Sequence, residues 1–106
     1  MSEFKKVCLV TDLVENSGVA VLVDEIQIAL FYVGGDVFAL SNYDPVGKAY
    51  VMSRGMVGDL KGEVMVAAPL YKQHYSLKTG ESLDGADLTL PSYEVKIEDD
   101  FVWIKT

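Results

Sequence analysis

Cysteine and histidine are nearly missing from this chain: among 106 residues there is one of each, Cys8 and His74. A single thiol excludes a disulfide within the chain. It also excludes any zinc or iron–sulfur site built on several cysteines of one chain. Apolar runs are short. The longest, Ile28 to Val33, falls far below the roughly 18 residues of a membrane-spanning helix, and no apolar stretch of signal-peptide type follows Met1-Ser2-Glu3-Phe4-Lys5-Lys6. Positive charge is also scarce: nine basic against sixteen acidic residues leave a net charge of −7. Such a surface repels a phosphate backbone and an anionic bilayer, so neither nucleic acid nor a membrane is an expected partner, and a cytoplasmic protein is expected. Nowhere do ten residues keep an apolar period of 3.6, which removes the amphipathic helix from the expected elements.

What remains is β-structure. Half of the residues are hydrophobic, and nine glycines against three prolines suit many short strands joined by tight turns. Lys5–Val10 reads as a first strand, at an edge, and Thr11–Gly18 as a loop or a helical turn. Val19–Val23 and Ile26–Tyr32 flank Asp24-Glu25, the spacing of a two-residue hairpin. Gly34-Gly35-Asp36 supplies a second tight turn into Val37–Ser41. From Asn42 to Gly62 no period persists, and the reading is an ordered loop with at most one turn of helix. Val64–Ala68 is a strand, Pro69 opens a tight loop, Tyr75 and Leu77 share one face of a short strand, and Lys78-Thr79-Gly80 turns the chain. Tyr93, Val95 and Ile97 alternate with charged residues before Glu98-Asp99-Asp100 and Phe101–Ile104, a closing antiparallel hairpin. The expectation is one domain over residues 1–106, an all-β sandwich or barrel of short antiparallel strands.

Two segments carry a resemblance. A strand, a tight loop opened by Pro69, a short strand and Thr79-Gly80 resemble the second cluster-binding loop of Rieske domains, where a strand ends in Cys-Pro-x-His. Val37-Phe38-Ala39-Leu40-Ser41 before Asn42-Tyr43-Asp44-Pro45 resembles the first, which carries Cys-x-His. The resemblance implies a Rieske-like fold with two tip loops. At its four ligand places stand Asn42, Asp44, Ala68 and Tyr71, and an amide, a carboxylate, a methyl and a phenol do not make the two thiolates and two imidazoles of a Rieske centre. By ordinary chemistry Asn42 and Asp44 are turn formers before a proline, and Tyr71 is an aromatic ring expected to be buried near Tyr43 and Pro45, filling the volume of a cluster.

The degenerate pattern, with Ser53-Arg54-Gly55-Met56-Val57-Gly58 and Ala68-Pro69-Leu70-Tyr71-Lys72-Gln73, is similar over nearly the whole chain to the small subunits of NAD(P)H-dependent nitrite reductases. That similarity implies a chain of nitrate assimilation with no catalytic residue, cofactor or metal of its own. The implied partner is a large subunit that bears FAD, siroheme and an iron–sulfur cluster and reduces nitrite to ammonium. Arg54, Tyr71, Lys72 and Gln73, on the implied tip loops, become the candidate partner-binding residues. A different class of answer is a cluster-free Rieske-derived module that docks or regulates another oxidoreductase.

Other features have plainer readings. His74 is expected as a surface or hydrogen-bonded residue, and Cys8 as a small buried hydrophobe, with Lys6 the only hint of the cationic neighbour that a reactive thiol needs. Gly55-Met56-Val57-Gly58 has the Gly-x-x-Gly spacing but neither a following helix nor a basic surface, so it is not a phosphate or RNA loop.

Overall fold

The computed structural model describes residues 3–60, 62–85 and 87–106, and for Leu60 the backbone only. Among the described residues, eleven strands form three antiparallel sheets. The first six-stranded sheet contains β1 (Phe4–Leu9), β2 (Ser17–Val23), β3 (Ile26–Val33), β4 (Asp36–Ser41), β10 (Ser92–Glu98) and β11 (Phe101–Lys105), in the order β1-β11-β10-β4-β3-β2. A two-stranded ribbon pairs β5 (Tyr43–Asp44) with β6 (Ala49–Tyr50), and a three-stranded sheet runs β7 (Met56–Leu60), β8 (Glu63–Ala67), β9 (His74–Ser76). Short 3-10 turns cover Val10–Asp12 and Met52–Arg54.

β3 shows why the apolar run Ile28 to Phe31 does not alternate with polar residues. Its two faces serve two cores, and a strand buried on both sides has no reason to be polar on either. Ile28 and Leu30 join Leu13, Val23, Ala39, Val102 and Ile104 inside the curl of the large sheet. Ala29 and Phe31 face the other way and pack with Leu40, Met52, Val66, Tyr75 and Leu90, between the large sheet and the three-stranded one. The second core therefore anchors the segments that follow β4 and β8. β1 lies at one edge of the large sheet, as expected. The opposite edge, β2, comes round beside it, and Lys5 Nζ reaches Asp24 Oδ1 at 3.5 Å across the gap.

The hairpins fall where the sequence places them. Val23 pairs with Ile26 around Asp24-Glu25, Val33 with Asp36 around Gly34-Gly35, and Glu98 with Phe101 around Asp99-Asp100. All six turn residues have positive φ, between 50° and 86°. This is the left-handed geometry whose twist matches the flanking strands, and only the middle turn fills it with glycine. One expectation fails. The segment 42–62 is not merely a loop, because it contains β5, β6 and the five-residue strand β7, which pairs in full with β8. Gly58 and Asp59 interrupt the apolar alternation of β7. The strand is fixed by its hydrogen-bonded partner and by Val57, which packs on the second core, and a single-strand pattern does not reveal that.

Candidate functional site

Two loops emerge from the second core: residues 42–55, between β4 and β7, and residues 68–73, between β8 and β9. Asn42, fully buried, organises the first. Its side-chain Oδ1 accepts the Ser53 N–H at 2.7 Å, its Nδ2 donates to Gln27 Oε1 at 3.3 Å, and its own N–H and carbonyl bond to the Gln27 carbonyl and the Met52 N–H at 3.0 and 3.1 Å. Asp44, also fully buried, caps the next turn: Oδ1 accepts the N–H groups of Val46 at 3.0 Å and Gly47 at 3.1 Å. Its other oxygen, Oδ2, is buried and has no donor among the described residues. Asp44 is thus the turn former read from the sequence, whereas Asn42 bonds groups 11 and 15 residues away and ties the loop to β3 and to the Met52–Arg54 turn.

The second loop closes on itself. The Ala68 N–H donates to the Gln73 carbonyl at 2.8 Å, the Lys72 N–H donates to the Ala68 carbonyl at 2.9 Å, and Lys72 takes a positive φ of 58°. Ala68 sits in the core at 1% exposure. Tyr71, expected to be buried beside Tyr43 and Pro45, is instead 65% exposed. The tight turn carries Leu70 and Tyr71 to its outer side. Tyr43 pairs with Tyr50 of β6, ring centroids 5.0 Å apart. The residue of the second loop that meets the first is Leu70, which sequence reasoning did not assign there, and Tyr75 lies in the second core with Met52 and Ala68. Gly47 is the mark of this approach: a Cβ on it would lie 2.5 Å from Leu70 Cδ1 and 2.8 Å from Asp44 Oδ2. Tyr75 is fully buried and its hydroxyl, like Asp44 Oδ2, has no partner among the described residues. Burial first, and then the negative charges of Asp44 and Asp84, push its phenol above the ordinary range.

The outer surface of this tip is apolar and basic. Tyr50, Met56, Leu70 and Tyr71 are 57, 72, 52 and 65% exposed. Over residues 42–58 and 67–75 the cations are Lys48, Arg54 and Lys72, and the only acid is the buried Asp44. Arg54 ends the 3-10 turn, exposed, and has no ion-pair partner among the described residues. Gln73 is half-buried and Lys72 exposed beside it. Of the four predicted partner-binding residues, Tyr71, Lys72 and Gln73 share one loop and Arg54 belongs to the other.

His74 lies on β9, where its Nδ1 is 3.0 Å from Asp84 Oδ1 and its backbone N–H donates to Asp84 Oδ2 at 2.7 Å. The backbone bond from His74 holds the Asp84 carboxyl below the usual carboxylate range; burial opposes it, and the hydrogen bond and charge of the His74 ring add smaller lowering effects. Cys8 is half-buried on β1, and burial, with Asp12 adding to it, raises its thiol pKa. Lys6 does not activate it; its ammonium lies over the Phe101 ring at 4.4 Å. A [2Fe–2S] centre of Rieske type takes two thiolates and two imidazoles. One cysteine in the first core and one histidine committed to Asp84 do not supply them, and among the described residues no group of three or more His, Cys, Asp or Glu is placed to hold a metal ion. The donor set does not fit the cluster.

A curled six-stranded sheet, a three-stranded sheet and two loops meeting at one tip define a Rieske-like domain, and the family described as Rieske-like [2Fe-2S] domain matches residues 3–105. The ferredoxin of Sphingomonas yanoikuyae B1 shares the fold, with a TM-score of 0.80 at 24% identity over 98% of this chain and 99% of that one. Nearer relatives are more particular. The Escherichia coli K12 protein named nitrite reductase (NADH) small subunit is 35% identical over 107 residues, 99% of each chain. The NMR structure of Escherichia coli NirD superposes with a TM-score of 0.89 at 33% identity, covering 100% of this chain and 98% of that one. A Klebsiella oxytoca protein named nitrite reductase NAD(P)H large subunit is 38% identical over 101 residues, which are 95% of this chain but only 11% of that protein. The chain belongs to the nitrite reductase small-subunit family of Rieske-like domains.

Proposed function

We propose that this chain is the small, cluster-free subunit of an assimilatory, cytoplasmic NAD(P)H nitrite reductase. It docks through its tip onto a large subunit that carries FAD, siroheme and an iron–sulfur cluster and reduces nitrite to ammonium. The observation that carries the reading is the end-to-end similarity to proteins named as nitrite reductase small subunits. The Klebsiella relative, in which a segment of this kind is part of a chain named as the large subunit, supports close physical association. Fusion turns a bimolecular encounter into an intramolecular one.

Arg54, Tyr71, Lys72 and Gln73 are the proposed contacts, joined by Leu70, Tyr50 and Met56 on the same tip. An exposed apolar centre with an arginine at its rim has the composition of interface residues whose truncation costs most. The chain itself supplies no catalytic group to the reaction. Its contribution is a rigid surface, since loops held on a packed scaffold are suited to binding. The deciding experiment mixes this protein with a nitrite reductase large subunit and measures binding and nitrite-dependent NAD(P)H oxidation with and without it. Retention of the large subunit supports the proposal. Failure to bind, with stable capture of a different oxidoreductase, favours the module reading. Iron and acid-labile sulfide are expected to be absent from the purified protein, and a visible absorption band with bound iron would overturn the cluster-free assignment.

A further inference from the structure

A groove of about 360 Å³ lies between the β2–β3 hairpin and the β5–β6 ribbon, with Leu22, Glu25, Ile26 and Gln27 on the hairpin side and Tyr43 and Tyr50 on the ribbon side. Leu22 and Ile26 leave apolar surface in water, at 70 and 36% exposure. Tyr43 and Tyr50 are cross-strand partners whose rings tilt 59° to one another, so neither ring covers the face of the other. The groove is also acidic. Of the two turn acids, Asp24 is engaged by Lys5 at 3.5 Å and by the Thr106 hydroxyl at 3.1 Å, whereas Glu25 is exposed and has no ion-pair partner among the described residues. No lysine or arginine lines the groove. Its other polar oxygens already serve as acceptors: Ser41 Oγ takes the Tyr43 N–H at 3.2 Å, and Gln27 Oε1 takes an Asn42 Nδ2 proton at 3.3 Å. Each keeps capacity for another donor.

We propose that this groove receives an arginine side chain of the large subunit, a proposal that rests on the chain being the small subunit of such an enzyme. The chemistry of the lining selects the occupant. A guanidinium is planar, carries five donors and no acceptor, and is weakly hydrated, so it can lie against tyrosine rings while it donates to a carboxylate. An anionic group would meet the unpaired charge of Glu25, and a purely apolar side chain would dehydrate that charge without pairing it. Tyr50 belongs both to the groove and to the exposed tip, which makes the two surfaces continuous. Their signs are opposite: the tip offers Lys48, Arg54 and Lys72, and the groove offers Glu25. A partner that is acidic opposite the tip and basic opposite the groove docks in one orientation, because a reversed placement sets like charges against each other.

The test measures affinity of the full-length protein for a nitrite reductase large subunit, with thermal unfolding of each variant alone as the check on its fold. Glu25→Gln keeps the shape of the side chain and removes its charge. It is expected to weaken binding about fivefold, with a gap that narrows as sodium chloride is raised. Tyr50→Leu keeps apolar bulk, removes the aromatic face and is expected to weaken binding by a similar factor. Either variant binding as tightly as the natural protein overturns the proposal. Methyl NMR of the natural protein gives a reading free of substitutions: the Leu22 and Ile26 signals should lose intensity when the large subunit is added, and unchanged signals overturn the proposal. Association that is insensitive to Glu25 removes the groove and leaves the subunit assignment standing, whereas no association of the natural protein removes both. Self-association of the small subunit in sedimentation, lost in Glu25→Gln, overturns the proposal in favour of a second copy of this chain.

Discussion

Asp84 illustrates how a single exposed residue can set a pH dependence. Its carboxylate accepts from the His74 backbone and ring, and those bonds depress its pKa in the folded chain relative to the unfolded one. The stabilisation is therefore complete above the unfolded carboxylate pKa and is lost as pH falls through the lower, folded value. Acid unfolding followed by circular dichroism should show Asp84→Asn less sensitive to pH in that acidic window than the natural protein, with little difference between them in slope near neutrality. The effect is small because the pair is near the surface and screened. Residue roles were unevenly legible. Asp44 read correctly as a turn former, because the reason is local; Asn42 did not, because its partners Gln27 and Ser53 are distant in sequence. Tyr71 read wrongly, because whether a loop residue faces inward depends on the closure of residues 68–73 and on the left-handed Lys72, neither of which has a clear signal in sequence. Leu70 was missed as the residue that meets the first loop for the same reason. The one usable hint was Gly47, a glycine required by close approach and not by a positive φ.

Among the elements, the three tight hairpins behave alike in geometry and differ in chemistry. Asp99 and Asp100 hold φ values of 55° and 68° without being glycine, and they follow Glu98 in an already acidic turn. Left-handed backbone costs a residue with a Cβ about 1 kcal/mol or more, least for Asn and Asp and nothing for Gly. Replacing the pair by Asp99→Asn with Asp100→Gly should raise the stability of the domain by about 1 kcal/mol in urea unfolding, since Asn-Gly is the favoured occupant of such turns. The Val10 N–H bond to the residue 100 carbonyl is a backbone interaction and survives the change. Strands with a repeating pattern or a glycine turn beside them, such as β3, β4, β10 and β11, were visible in the sequence. β7 was not, because Gly58 and Asp59 erase its pattern and its identity comes from full pairing with β8.

Considered whole, the molecule carries a net charge of −7, while its tip segments hold three cations and one buried acid. A basic, apolar tip on a domain of charge −7 orients the encounter with a partner whose docking surface is acidic at the rim. Arg54→Ala should weaken association with the large subunit by about 2 kcal/mol, and Lys72→Ala should act mainly on association rate and its salt dependence. Tyr71→Ala, with its ring in solvent, should change folding stability by no more than about 0.5 kcal/mol while still weakening association. Calorimetry of binding beside thermal unfolding of each variant separates the two effects. An Arg54→Ala protein that binds unchanged would move the docking face elsewhere.

Phe4 stands opposite Lys105 in the β1–β11 ladder, so positions 4 and 105 are neighbours in space although the whole chain separates them. The fold thus has no preferred cutting point: linear order could begin at another turn with the same strands still meeting. Joining the two ends through a short flexible linker and opening the chain between Gly34 and Gly35, where a Cβ at either glycine would meet nothing within 4 Å, should yield a circularly permuted protein. Its amide NMR spectrum should match that of the parent outside the new ends and the linker. In the permuted protein the tip segments keep their sequence neighbours, and binding to the large subunit should be retained.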